Sequence, residues 1–173
     1  MKIGLTGTMS VGKTTLVKAL SKMDQFHNYT CTTERSKYLN SLGIPLNHET
    51  TIEGQTIFLA ERVTELMQDN LITDRTIIDV MAFTNCAKKT SYIDADAFEE
   101  YAKRFITQYD YIFYISPEGI EIEDNGIRET DIDYRRQIDE EIQKLLLKHC
   151  PVVYTLSGTT EKRINQIIEV INF

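Results

Sequence analysis

Apolar positions along this chain switch repeatedly between a strand-like and a helix-like period. Residues 2–6, KIGLT, read as a short buried strand, and over 13–23 Leu16, Val17, Leu20 and Met23 fall at helical spacing. A second strand, YTCTTE at 29–34, ends at Glu34, with a short helix expected after it. Over 54–70, Leu59, Val63, Leu66 and Met67 share one helical stripe. The brief apolar run LITD closes on Asp74, and a helix starts near Thr76. Over 94–106, Phe98, Tyr101, Ala102, Phe105 and Ile106 share a face, so this stretch is another helix. Residues 109–116, YDYIFYIS, form an aromatic and β-branched strand whose Tyr109, Tyr111, Phe113 and Tyr114 read as packing groups. An acidic stretch follows Pro117, where the run 118–124 reads as a solvated face. Then Ile138, Ile142, Leu145 and Leu146 mark a helix, PVVYTLS at 151–157 a last strand, and Ile164, Ile167, Ile168 and Ile171 a closing helix.

Five strands alternating with helices predict an α/β fold of three layers, a parallel sheet covered on both faces. In such sheets ligands bind beyond the carboxyl ends of the strands. The polar residues that follow each strand are therefore the candidates. They are the glycine loop after the first, Glu34 after the second, Asp74 and Arg75 after the third, the acidic and arginine-bearing segment after the fourth, and Ser157-Gly158-Thr159 after the fifth.

The first of these has a specific chemistry. LTGTMSVGKTT fits the pattern G-x-x-x-x-G-K-[ST] through Gly7, Gly12, Lys13 and Thr14, placed between a strand and a helix. Glycines let backbone wrap an anion without a Cβ in the way. The N–H groups of a loop formed by Gly7, Ser10, Val11 and Gly12, and those of Lys13, Thr14 and Thr15 at the helix start, would face the phosphates. Lys13 would reach the β- and γ-phosphates, and the Thr14 hydroxyl would lie on Mg²⁺. Asp74 can hold Mg²⁺ through water or cap the helix after it, two roles that are compatible, and the adjacent Arg75 can reach a phosphate. The D-x-x-G and N-K-x-D patterns of a GTPase are missing at the expected places.

Composition narrows the setting. A length of 173 residues and a 42% hydrophobic fraction predict one ordered domain, with no repeat and no apolar run of membrane-spanning length. Neither a signal nor a transit peptide fits the N-terminus, which enters a strand directly. Cys31, Cys86 and Cys150 lie far apart without metal spacing, as expected of reduced, packed cysteines in a cytoplasmic protein. The net charge of −7 weighs against a broad nucleic-acid surface and leaves room for a local basic cleft.

Taken with GTMSVGKTT, the stretches TER after the second strand, DRTIIDVMAF after the third and DNGIRETDIDYRRQI after the fourth resemble the P-loop nucleoside and nucleotide kinases over nearly the whole chain. The pattern is most similar to the nicotinamide riboside kinase-like group, described as an AAA-type ATPase domain, and the Asp-Arg pair also resembles deoxynucleoside and thymidylate kinases. The resemblance implies an ATP- and Mg²⁺-dependent transfer to a nucleoside or nucleoside monophosphate. It further implies Glu34 as the base that takes the proton of an attacking hydroxyl. Asp74 matches the magnesium-associated acid and Arg75 the phosphate-binding arginine. Residues 117–136 match a lid, in which Arg128 would neutralise charge on the transferred group and Arg135 and Arg136 continue the basic face. Gln55 stands where related kinases place a base-reading amide, and reads equally as an exposed first-turn residue. Gly158 stands where the backbone wraps the donor adenine, and the same turn reads as a helix cap.

One departure concerns the acceptor. The riboside kinase-like pattern Glu-x-x-Arg has Lys37 at its arginine position, while Arg35 directly follows Glu34. The two cation types are not interchangeable for bidentate phosphate binding. A kinase acting on a hydroxymethylated base in DNA, and a regulatory module that binds ATP without transferring it, stay open. The resemblance also admits a homodimer.

Overall fold

The computed structural model describes residues 1–33, 35–121 and 131–171. Five strands form one sheet: β1 (Lys2–Thr6), β2 (Thr30–Thr32), β3 (Leu71–Asp74), β4 (Tyr111–Ile115) and β5 (Tyr154–Leu156). Their order is β2-β3-β1-β4-β5, and every neighbouring pair is parallel. Seven α-helices connect or follow them among the described residues: α1 (Lys13–Leu20), α2 (Ser36–Ser41), α3 (Ile52–Glu65), α4 (Ile77–Asn85), α5 (Tyr92–Ala102), α6 (Ile132–His149) and α7 (Thr160–Ile171). The predicted three-layer α/β architecture is therefore the observed one.

Strand alternation sorts the core into two layers. Ile3, Leu5, Ile72, Phe113 and Ile115 face α1 and α7, while Leu71, Ile112 and Tyr114 face the side built by α3 to α6. Gly4 is the exception in β1. A Cβ there would lie 2.5 Å from Thr76 Cγ2 and 3.0 Å from the Tyr109 ring, so its bare backbone lets the start of α4 seat on the sheet. Register then places the site. Leu5 of β1 lies beside Asp74 of β3, so the loop that begins at Gly7 emerges next to that carboxylate.

Three sequence expectations move. Helix α1 ends at Leu20, and Met23 precedes a short 3₁₀ turn at Asp24–Phe26 instead of extending the stripe. Helix α3 ends at Glu65, leaving Met67 79% exposed, because the chain must turn to bring Leu71 N–H onto the Met1 carbonyl. Tyr101 is exposed and packs edge-on with Phe105, which lies in a 3₁₀ segment, Lys103–Gln108, after α5. The three cysteines are free, and Cys86 is buried. Among the described residues no helix is long and apolar enough to cross a membrane.

Away from the sheet ends, one carboxylate ties three helices together. Glu99 of α5 accepts from Lys148 Nζ (2.6 Å) and His149 Nε2 (2.8 Å) of α6 and from Asn85 Nδ2 (3.2 Å) of α4. Burial alone would raise its pKa. The hydrogen bonds outweigh burial and hold the carboxyl at about 2. An unfolded Glu titrates near about 4.3. The folded value is thus the lower one, so its stabilisation is present above about pH 4.3 and is lost as pH falls toward about 2. Urea unfolding at stepped pH is expected to show wild-type stability falling through that window, with a flatter curve for Glu99→Gln. Parallel curves would remove Glu99 from the acid response.

Candidate active site

The glycine loop has the strained backbone that an anion cradle requires. Gly7 has φ 149° and Gly12 has φ 87°, while Ser10, a non-glycine residue, has φ 61°. A Cβ on Gly7 would meet the Ile115 carbonyl oxygen at 2.7 Å, so only glycine fits between loop and sheet. Gly12 then serves as the N-cap of α1 without a side-chain cap bond.

Side chains from distant elements fix the loop. Lys13 is 6% exposed, and its Nζ donates to the carbonyls of Gly7 (2.5 Å) and Thr8 (2.8 Å). Asp79 of α4 is fully buried and accepts from the Gly7 N–H through Oδ1 (3.2 Å). Its Oδ2 accepts from Thr76 N–H (2.7 Å) and Thr76 Oγ1 (3.0 Å), which closes a capping box on α4. The cap of α4 is therefore Thr76, and the capping role considered for Asp74 does not occur. Arg135 Nε donates to Met9 O (3.2 Å), and Arg163 Nη1 to Val11 O (2.7 Å).

Asp74 ends β3 beside the loop. Its Oδ2 accepts from Thr14 Oγ1, while Oδ1 is buried with no hydrogen-bond partner among the described residues. A hydroxyl and a carboxylate with an orphaned buried oxygen fit Mg²⁺, which binds through one or two protein oxygens and completes its shell with phosphates and water. Among the described residues no group of three or more His, Cys, Asp or Glu could hold a metal ion by itself.

Arg75 follows in the left-handed region, with φ 78°. Three bonds hold that peptide: Arg75 N–H to Leu5 O (3.0 Å), Thr73 Oγ1 to Arg75 O (3.2 Å), and Arg62 Nη1 to Asp74 O (2.9 Å). The guanidinium of Arg75 lies 4.7 Å from the Phe83 ring centroid. Arg62 is buried in α3 and is itself held by Glu65 Oε1 at 2.7 Å.

Loop, acid and arginine converge on one cavity of about 290 Å³. Ser10, Val11, Gly12, Lys13, Thr14, Thr15, Asp74, Arg75 and Gly158 all line it. Met9, Thr159, Thr160, Ile120 and Arg163 complete the wall. The turn at 158–159 also caps α7 through Thr159 Oγ1, which accepts from Lys162 N–H at 3.3 Å.

Other expected site residues lie elsewhere. Arg35 is exposed, pairs with Glu61 at 3.4 Å and lies 4.5 Å from the Tyr38 ring centroid. Lys37 is exposed on α2. Gln55 is 4% exposed, so it is no exposed first-turn residue, and its Nε2 donates to Thr50 Oγ1 at 2.7 Å. Arg135 is buried against the glycine loop. Glu34 and Arg128 lie outside the described residues. Sequence reasoning missed Asp79, Arg62 and Arg163. Of these, only Asp79 had a local signal, the T-x-x-D spacing from Thr76.

No curated protein matches the sequence. Among solved structures, deoxyadenosine kinase from M. mycoides, with products dCMP and a flexible dCDP bound, superposes with TM-score 0.70 at 15% identity over 99% of both chains. NadR protein in complex with NR superposes with TM-score 0.76 at 19% identity, over 99% of this chain and 51% of NadR. NadR in complex with NAD and AMP-PNP gives TM-score 0.72 at 17% identity, with 49% of that chain covered. This chain thus spans the whole of the first fold and about half the length of NadR. These likenesses show the fold, which this chain shares with the deoxyadenosine kinase and NadR structures. The model of the AAA domain family matches residues 2–163, nearly the entire sequence, and the chain belongs to that family.

Proposed function

We propose that this protein transfers the γ-phosphoryl group of Mg·ATP to a nucleoside or a nucleoside monophosphate, with an acceptor of deoxynucleoside or nicotinamide riboside type. The observation that carries this reading is the meeting, in one cavity, of buried Lys13, the Thr14–Asp74 pair with its orphaned oxygen, and Arg75 held in a strained conformation. The chemistry that Mg²⁺ would supply here is compensation of phosphate charge. Thr14 and Asp74 would hold it. Lys13 would exchange the Gly7 and Thr8 carbonyls for phosphate oxygens, and Arg75 would meet the charge of the transferred group. Little else is needed, since such transfers depend on positioning and charge neutralisation.

For a hydroxyl acceptor, Glu34 would take the proton; for a monophosphate no base is needed, and Arg35 or Lys37 would hold the acceptor phosphate. Of residues 117–136, the part before α6 would act as a lid that brings Arg128 to the donor, while Ile132–Arg136 belong to α6, and Gln55 would read the acceptor base. The dCMP and dCDP in the deoxyadenosine kinase structure and the NR in the NadR structure support an acceptor of this class. Three free cysteines fit a reducing, cytoplasmic setting, and a homodimer is compatible with the chain.

The test is ADP release from Mg·ATP against a panel of nucleosides, nucleoside monophosphates and nicotinamide riboside, with Glu34→Gln alongside. Stimulation by a nucleoside, reduced at least about a hundredfold in Glu34→Gln, is the expected result. Stimulation by monophosphates alone, with Glu34→Gln still active, would move the acceptor to a phosphate. Stimulation by no small acceptor would reject the proposal.

A further inference from the structure

Two buried arginines from the C-terminal part of the chain grip the N-terminal glycine loop. Arg163 of α7 donates to Val11 O at 2.7 Å across 152 positions, and Arg135 of α6 to Met9 O at 3.2 Å across 126. In a trans peptide, the C=O and the following N–H point in opposite directions. A guanidinium that holds the Val11 carbonyl therefore turns the Gly12 N–H away from itself. Arg135 does the same for the Ser10 N–H by holding Met9 O. The two inverted donors flank the strained stretch between φ 61° at Ser10 and φ 87° at Gly12. Successive N–H groups in such a stretch form an anion-binding concavity.

Arg163 is the sharper case of the two. It is 6% exposed, lines the nucleotide cavity and has no carboxylate in salt-bridge reach among the described residues. Its Nε is buried without a partner. Burial pulls its pKa down from the ordinary value, and no neighbouring acid opposes this. A buried cation with one hydrogen bond and no counter-charge is costly, and an anion in the adjoining cavity would compensate it.

We propose that Arg163, with Arg135 as its counterpart, is a positioning residue that presets the Ser10 and Gly12 N–H groups for the β-phosphate of the donor nucleotide. Arg163 acts through the Val11–Gly12 peptide, and its uncompensated charge adds to the cradle's preference for an anion. The role rests on the reading that this loop takes a nucleoside polyphosphate.

Calorimetric binding of ADP, AMP and adenosine to the full chain tests it, with Arg163→Met, Arg163→Lys and Arg135→Met compared with wild type. Arg163→Met is expected to weaken ADP by about tenfold or more, while AMP and adenosine change by less than about twofold. Arg135→Met should show the same split, and Arg163→Lys, which keeps a charged donor, should recover most of the ADP affinity. If Arg163→Met fails to fold, the residual ADP-to-AMP difference in Arg163→Lys carries the comparison. Equal losses for all three ligands would make Arg163 a general packing residue and overturn the proposal. So would unchanged ADP binding, or a wild-type chain that binds ADP no better than AMP. Absence of transfer to any acceptor would instead sink the kinase reading and leave these binding ratios standing.

Discussion

Lys13→Ala is expected to lower phosphoryl transfer by about a thousandfold while leaving the protein folded. The size follows from where the charge is. Lys13 Nζ lies buried between the carbonyls of Gly7 and Thr8, with water largely excluded. A cation held in such a place interacts with developing phosphate charge far more strongly than a solvated one. Removing one preorganised donor at a reacting oxyanion typically costs about a hundredfold to a thousandfold. Lys13 would contribute a full charge besides, which places it at the upper end. The loss should fall mainly on kcat, because the charge it meets grows as the phosphoryl group moves. Stability should change little, since alanine removes a buried cation along with its two bonds to carbonyls. Steady-state rates at saturating Mg·ATP, read beside a thermal melt, check both halves. A folded variant that keeps more than about a tenth of the wild-type rate would take Lys13 out of the chemistry.

The contrast between Lys13 and its neighbours shows what a sequence can disclose. Gly7, Gly12, Lys13 and Thr14 were legible because the cradle is local: four residue types at fixed spacing, between a strand and a helix, build it. Asp74 and Arg75 were legible because a parallel sheet delivers the ends of its strands to one edge, and register sets Asp74 beside Leu5. Arg163 was not, and Arg135 was legible as a candidate but not in its hold on the loop, because the Val11 and Met9 carbonyls they hold lie more than a hundred positions away. In sequence, Arg163 is one cation on an amphipathic helix. Only packing of α7 against α1 aims it at the loop. Arg62 was hidden for the same reason, since its task is a carbonyl twelve positions on. Helix ends failed differently. The stripe through Val63 and Leu66 continues to Met67, but the turn into β3 outweighs one more turn of helix.

Asp79→Ala is expected to lose about 3 kcal/mol or more of folding stability, together with most nucleotide affinity. Few carboxylates serve two structures at once as this one does. Its Oδ1 holds the first N–H of the glycine loop, and its Oδ2 holds both donors of the Thr76 cap. Alanine would leave those three donors buried where Asp79 has no exposure to water, so solvent cannot replace the bonds. Each unsatisfied buried donor costs about 1–3 kcal/mol, and the cap is counted among them. In a domain of this length, such a loss lowers the melting temperature by roughly 6–12 °C. Asn at this position keeps one good acceptor and turns an NH₂ toward groups that already donate, so Asp79→Asn should recover little. Asp131 supplies the scale. It caps α6 from an exposed position, accepting from Asp133 N–H at 2.8 Å and Tyr134 N–H at 3.3 Å, and Asp131→Ala should cost about 1 kcal/mol. Urea unfolding of the two alanine variants compares them directly. If Asp79→Ala costs no more than Asp131→Ala, water reaches the junction of loop and helix, and Asp79 is an ordinary cap. If it costs threefold more and ADP binding falls with it, the same carboxylate that starts α4 also sets the loop's first peptide, and the order of the binding site is inseparable from the order of the fold.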